Sequence, residues 1–162
     1  MRYRMKQKLF SIGDDFQITD DSGRKIATVD GKVFTIGNKL AFLDESGKEL
    51  ALIKQKLIAL RPVYEITRQG KHVATVKKDF FNVLRCGFSV DVPGPDDLEA
   101  QGSLFEHEYT FKRGSKTVAT VSKAWFSFSD SYGVDIADGE DHILVLASTV
   151  VIDMCCSEEK PH

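Results

Sequence analysis

Met5-Lys6-Gln7-Lys8-Leu9-Phe10-Ser11-Ile12, followed by Phe16-Gln17-Ile18-Thr19, returns 48 residues later as Ile53-Lys54-Gln55-Lys56-Leu57-Ile58-Ala59-Leu60, followed by Tyr64-Glu65-Ile66-Thr67. A third copy lies between them: Val29-Asp30-Gly31-Lys32-Val33-Phe34-Thr35-Ile36, then Leu40-Ala41-Phe42. The period is therefore about 24 residues. Further paired-apolar markers fall at Phe80-Phe81, Leu104-Phe105 and Trp125-Phe126, which makes six units with markers at 9, 33, 57, 80, 104 and 125.

Between markers, a glycine turn precedes an apolar-Ala-x-apolar stretch. Gly23 leads into Ile26-Ala27-Thr28-Val29, Gly47 into Leu50-Ala51-Leu52-Ile53, Gly70 into Val73-Ala74-Thr75-Val76, and Gly114 into Val118-Ala119-Thr120-Val121. Glycine supplies the positive φ that tight hairpin turns demand. The stretch from 93 to 103, with Pro93-Gly94-Pro95-Asp96-Asp97, is the least regular copy. Each unit reads as a hairpin of one long and one short strand. Alternation supports strands: Tyr3, Met5, Gln7 and Leu9 share one face, while Arg2, Arg4, Lys6 and Lys8 share the other.

Six hairpins without crossover-length helices predict an antiparallel up-and-down meander of twelve strands. Closing it into a barrel removes its two open edges. Roughly eight strands already enclose as much interior as side chains can fill, so twelve require a plug. An α-helix, about 10–12 Å across with its side chains, has the right girth. The segment from His142 to Cys156 is apolar on every face, the pattern of a helix surrounded by protein, and Asp138-Gly139-Glu140-Asp141 offers an N-cap and acidic first-turn residues. The expected helix covers about 139–156, within one barrel domain of residues 1–157 followed by a short tail, 158–162. The β-branched residues of the segment leave a thirteenth strand as the alternative.

An apolar share of 42% and a charged share of 28% exclude disordered and fibrous classes. The basic start is not followed by an apolar segment, so no export signal is expected. The run Ile143 to Ile152 is about half of what a bilayer span needs, and no transmembrane segment is expected. Three cysteines, Cys86, Cys155 and Cys156, suit a reducing cytoplasm and read as small core hydrophobes. Net charge is −2, but residues 1–85 hold 17 Lys+Arg against 10 Asp+Glu, and residues 86–162 hold 5 against 14. Such asymmetry either marks a surface for anionic partners or is mixed by folding.

The chain resembles the bacterial LURP-one-related proteins, which share the Tubby C-terminal fold with phospholipid scramblases. The resemblance runs from Tyr3-Arg4-Met5-Lys6-Gln7-Lys8-Leu9-Phe10 through Val92-Pro93-Gly94-Pro95 and Glu106-His107-Glu108-Tyr109-Thr110-Phe111 to Tyr132-Gly133-Val134-Asp135-Ile136-Ala137 and the helix ending Val151-Ile152-Asp153-Met154. It implies a twelve-stranded barrel around a central helix. It also implies a lipid connection: Tubby domains bind phosphoinositide headgroups, and scramblases act on phospholipids with calcium through a carboxylate-rich segment before the helix. Asp130, Asp135 and Asp138 lie in the corresponding region, but their spacing departs from that segment and from an EF-hand loop.

The candidate headgroup-binding residues are basic. Lys6, Lys8, Lys32, Lys54, Lys56, Lys77, Lys78 and Lys123 precede successive markers, with Arg61, Arg68, Lys71 and Arg85 nearby. At equivalent places of a meander they would form a girdle on the outer face, able to hold phosphates by charge-assisted hydrogen bonds; ordinary solvation of outward positions is the alternative. Gln7 and Gln55 fall on the inward face and need partners, such as backbone or Ser148 and Thr149 of the helix. Glu106-His107-Glu108 reads as alternating along a strand, with both glutamates facing away from His107. No Ser/His/Asp order, phosphate loop or zinc-like cysteine spacing is present. The expectation is a non-enzymatic protein without catalytic residues, metal or cofactor and without nucleic-acid binding. It would engage anionic phospholipid peripherally, or alternatively serve as a protein-binding scaffold through its loops, or act as a scramblase-like lipid protein.

Overall fold

The computed structural model describes residues 1–8, 15–31, 39–56, 63–82, 85–126 and 130–158. Twelve strands follow one another: β1 (Arg2–Lys8), β2 (Asp15–Asp20), β3 (Lys25–Gly31), β4 (Lys39–Asp44), β5 (Glu49–Gln55), β6 (Val63–Arg68), β7 (Lys71–Asn82), β8 (Arg85–Asp91), β9 (Leu98–Ser103), β10 (Glu108–Arg113), β11 (Lys116–Ser122) and β12 (Ser131–Ile136). Each pairs antiparallel with its neighbours in sequence, and β1 pairs with β12 from Arg2↔Asp135 to Lys6↔Ser131, so the barrel is closed. The arms are near equal, six or seven residues each, apart from the twelve-residue β7. Within the described residues the expected long-and-short pairing is not seen, and of the marker pairs Phe80-Phe81 sits near the end of β7 while Leu104-Phe105 and Trp125-Phe126 follow β9 and β11. Three of those pairs, at 9, 33 and 57, lie outside the described residues.

The hairpin turns explain the repeat. Asp20 Oδ1 accepts from the backbone N–H of Ser22 (2.9 Å) and Arg24 (3.0 Å) and from the Ser22 hydroxyl (2.6 Å). Asp44 Oδ1 repeats this with Ser46 N–H (2.8 Å), Lys48 N–H (3.0 Å) and the Ser46 hydroxyl (2.7 Å). Gly23 and Gly47 follow at φ 83°. A register shift falls just before the turn at Ile18/Thr19, Phe42/Leu43, Ile66/Thr67 and Phe111/Lys112. Such bulges sharpen the right-handed twist, and repeating them at one level bends the sheet on itself.

The repeated alanines are the second device. Ala27, Ala51, Ala74 and Ala119 are buried and share the inward face with Val29, Ile53, Val76 and Val121. Being small, they leave room along the axis, and that room holds α1 (His142–Glu158). Seventeen residues make a helix about 25 Å long. Leu144 through Cys156 are buried without a break, so every face of the helix meets protein, and the thirteenth-strand alternative is excluded. Asp141 Oδ1 accepts the Leu144 N–H at 3.1 Å and is the N-cap. The helix thus begins later than 139: Gly139 at φ 81° lies outside helical space, and Glu140 is claimed by Arg113 (3.0 Å) and Lys116 (2.8 Å). Those two cations hold the buried Glu140 carboxyl below the usual range, Lys116 contributing most.

The topology gives the barrel two unlike ends. The helix enters at the end carrying the glycine hairpins, where Arg68 binds Asp141 at 2.7 Å and the Tyr3 hydroxyl meets His142 Nδ1 at 2.7 Å. It finishes at the end where odd-numbered strands stop, beneath the 3₁₀ turn Leu104–Glu106 that joins β9 to β10.

Candidate functional site

The far ends of β1, β5 and β11 and the middle of β7 carry the basic candidates. Lys6 is exposed with Nζ 3.5 Å from Asp130, Lys56 lies 2.8 Å from Glu65, and Lys77 lies 2.5 Å from Asp91. Lys54 is exposed near the end of β5, and Lys123 is half-buried just after β11. Lys32 and Arg61 lie outside the described residues, as does the side chain of Lys8. Lys78 is corrected: it is 4% exposed and shares the inward face with Ala74 and Val76. Adjacent residues of a strand point to opposite faces, so Lys77 and Lys78 cannot both belong to an outer girdle. Arg68 and Lys71 flank the β6–β7 turn, at the opposite end of the barrel.

A residue missed by the marker spacing is Lys39. It opens β4 directly opposite Lys54, and both are exposed. Among the described residues neither has a carboxylate within ion-pair distance. Glu65 is the near anion, and its carboxyl is held below the usual range first by the hydrogen bond from Lys56, with the charges of Lys56, His72 and Lys54 adding to it.

The acidic candidates do not converge. Asp130 meets Lys6 and the Ser131 hydroxyl at one end of β12, Asp135 meets Arg2 and the N-terminal ammonium near the other, and Asp138 is exposed in the following turn. No group of three or more His, Cys, Asp or Glu among the described residues is arranged to hold a metal ion. Gln7 and Gln55 are half-buried, while Thr149 donates to the Val145 carbonyl within the helix (2.8 Å).

The largest departure from the sequence reading is at His107. Glu106 closes the 3₁₀ turn and His107 adopts a left-handed conformation (φ 55°, ψ 43°), which swings its ring into the barrel. There Nε2 meets Asp153 Oδ1 at 2.5 Å, with His107 7% and Asp153 4% exposed. Tyr132 stacks on the imidazole at 4.4 Å between ring centroids. Tyr109 and Cys156 complete the cluster. Burial, then the Asp153 charge, pushes both tyrosine hydroxyls well above their ordinary range, so both stay protonated. The one sequence hint was Asp153, an acid inside an otherwise apolar helix.

A closed antiparallel barrel threaded by its own C-terminal helix is a narrow class, and the comparisons agree with it. The LURP-one-related family pattern matches residues 1–153, and the chain belongs to that family. Uncharacterized protein YxjI of Bacillus subtilis (strain 168) is 38% identical over 151 residues, covering 93% of this chain and 90% of YxjI. The X-ray structure of the Arabidopsis thaliana protein AT5G01750 superposes with a TM-score of 0.69 at 18% identity, covering 94% of this chain and 90% of that one. That likeness concerns the fold. Among the described residues no helix is long and apolar enough to cross a membrane.

Proposed function

We propose that this barrel is a non-enzymatic module that docks peripherally on anionic phospholipid surfaces, with the lysines at the far ends of β1 and β5, the start of β4 and the middle of β7 as its contacts. The carrying observation is the opposed pair Lys39 and Lys54, both exposed. Like charges directly across a strand pair repel, and an anion between them relieves that repulsion. Lys6, Lys56 and Lys77 are held only by surface ion pairs, which contribute about 0–1 kcal/mol and can be exchanged for phosphate oxygens. Binding rather than catalysis is supported by the burial of the His107–Asp153 pair, 7% and 4% exposed.

The test is co-sedimentation with phosphatidylglycerol or phosphoinositide vesicles against phosphatidylcholine vesicles over a salt series. Exposed lysines are screened within about 8 Å at physiological ionic strength, so binding falls as salt rises. Lys39→Glu with Lys54→Glu reduces it while melting is unchanged. Salt-insensitive binding, or full binding by the reversed variant, refutes the reading. The protein-scaffold alternative rests on Phe105, exposed on the 3₁₀ turn at the same end of the barrel. It gains ground if vesicle binding is absent.

A further inference from the structure

We propose that the segment Lys123–Phe126, just after β11, is a clasp laid across the outer side of the β1–β12 seam, and that the barrel opens along this seam only when the clasp lifts. Ser122, Gly133 and Arg4 form one row over three neighbouring strands, Ser122 of β11 opposite Gly133 of β12 and Gly133 opposite Arg4 of β1. The clasp leaves β11 at the head of that row and follows it toward β1. Trp125 and Phe126 both lie against Gly133, so closely that a Cβ on this residue would stand 2.5 Å from one ring and 3.0 Å from the other. From the other side β1 reaches back, the Arg2 guanidinium covering the Trp125 ring at 4.0 Å and that of Arg4 the Phe126 ring at 5.3 Å, distances at which a cation is attracted to the ring face. The two rings therefore touch both strands of the seam.

The clasp has its own footing, on neither seam strand. Glu108 of β10 accepts through Oε1 from the Ser122 hydroxyl (2.8 Å), the Lys123 N–H (2.8 Å) and the Ala124 N–H (3.3 Å). The Phe126 N–H donates to the Lys123 carbonyl at 3.1 Å, closing the turn that brings both rings onto β12. β1 is the strand such a device governs. It is first in chain order and joined to the rest of the barrel through β2, so it can leave without dragging a second connection. Among the strands, the helix packs chiefly against β5, β6, β7 and β12, and its bond to β1 is the one between His142 and the Tyr3 hydroxyl. Segments tied down by few contacts open locally, at less cost than unfolding the domain. The departure of β1 would uncover Met5 and, opposite it, Tyr132, both buried while the seam is shut.

The clasp is independent of the lipid reading. Its test is amide hydrogen exchange of the full chain, resolved strand by strand, in the wild type, Trp125→Ala and Glu108→Ala. Exchange through local opening reports the population of the open state. The expected result for Trp125→Ala is β1 exchanging about tenfold faster, the order of factor that one lost cation–ring contact allows, while β4, β5 and β6 keep wild-type rates. Glu108 is exposed and touches neither seam strand, so Glu108→Ala reaches β1 only by loosening the clasp at its footing, and the same selective acceleration is expected. Unchanged exchange of β1 in either variant, or acceleration spread evenly over all strands, overturns the proposal. Should Trp125→Ala not fold, Glu108→Ala decides alone.

Discussion

At Gly133 the need for glycine comes from outside the barrel. A Cβ there would sit 2.5 Å from Trp125 Cε3 and 3.0 Å from Phe126 Cε2, because the two rings lie over the outer side of β12. Arg2 covers the Trp125 ring at 4.0 Å and Arg4 the Phe126 ring at 5.3 Å. Gly133→Ala must displace the rings, and overpacking of this kind costs about 1–3 kcal/mol. The expected result is a melting temperature lowered by several degrees and a shift in the emission of Trp125, the single tryptophan; unchanged emission would mean that the ring does not rest on β12. In the sequence this glycine stood out only through resemblance. Alternation sorts residues into inward and outward but is silent about what covers the outer face. His107 was hidden for a related reason: the left-handed residue breaks the period of two, and its partner Asp153 is 46 residues away.

Elements were more legible, because both of their signals are local. Glycine turns and Ala-x-apolar strands announce the hairpins, and a segment apolar on all sides announces an enclosed helix. The register shifts at four equivalent places carry no residue signature, so the curvature they introduce could not be read. The start of α1 was placed too early since acids at 138–141 look alike on paper, whereas only Asp141 caps and Glu140 serves the β10–β11 hairpin instead. Leu146 is 1% exposed in the middle of this helix. Leu146→Asp inserts an unpaired charge into the barrel at a cost of several kcal/mol against a typical stability of about 5–15. Loss of cooperative unfolding and of solubility is expected; a soluble variant with unchanged melting would contradict an enclosed helix.

Over the whole molecule, the basic first half and acidic second half meet where the chain closes. Arg2 pairs with Asp135, Lys6 with Asp130, Lys77 with Asp91 and Arg68 with Asp141, so folding mixes the two halves at their junctions. Lys39 and Lys54 of the proposed docking surface are what this neutralisation leaves over; Lys54 stood out by its place before a marker, whereas Lys39 did not, because the pairing that sets it opposite Lys54 depends on register. The closing junction, Arg2 against Asp135, joins positions 133 residues apart. Bringing such distant segments together is entropically the slowest kind of contact to form. Until β12 exists, β1 is an unpaired edge, free to accept a strand from another molecule. Synthesis therefore exposes a sticky intermediate for as long as it takes to make the last strand and the helix, and a nascent chain halted before Ser131 should be captured by chaperones and aggregate when released. Ribosome-bound chains of increasing length, probed by limited proteolysis, should remain digestible until β12 and α1 have left the exit tunnel, and then become resistant in one step. Gradual protection, hairpin by hairpin, would show instead that the meander holds together before its ends meet.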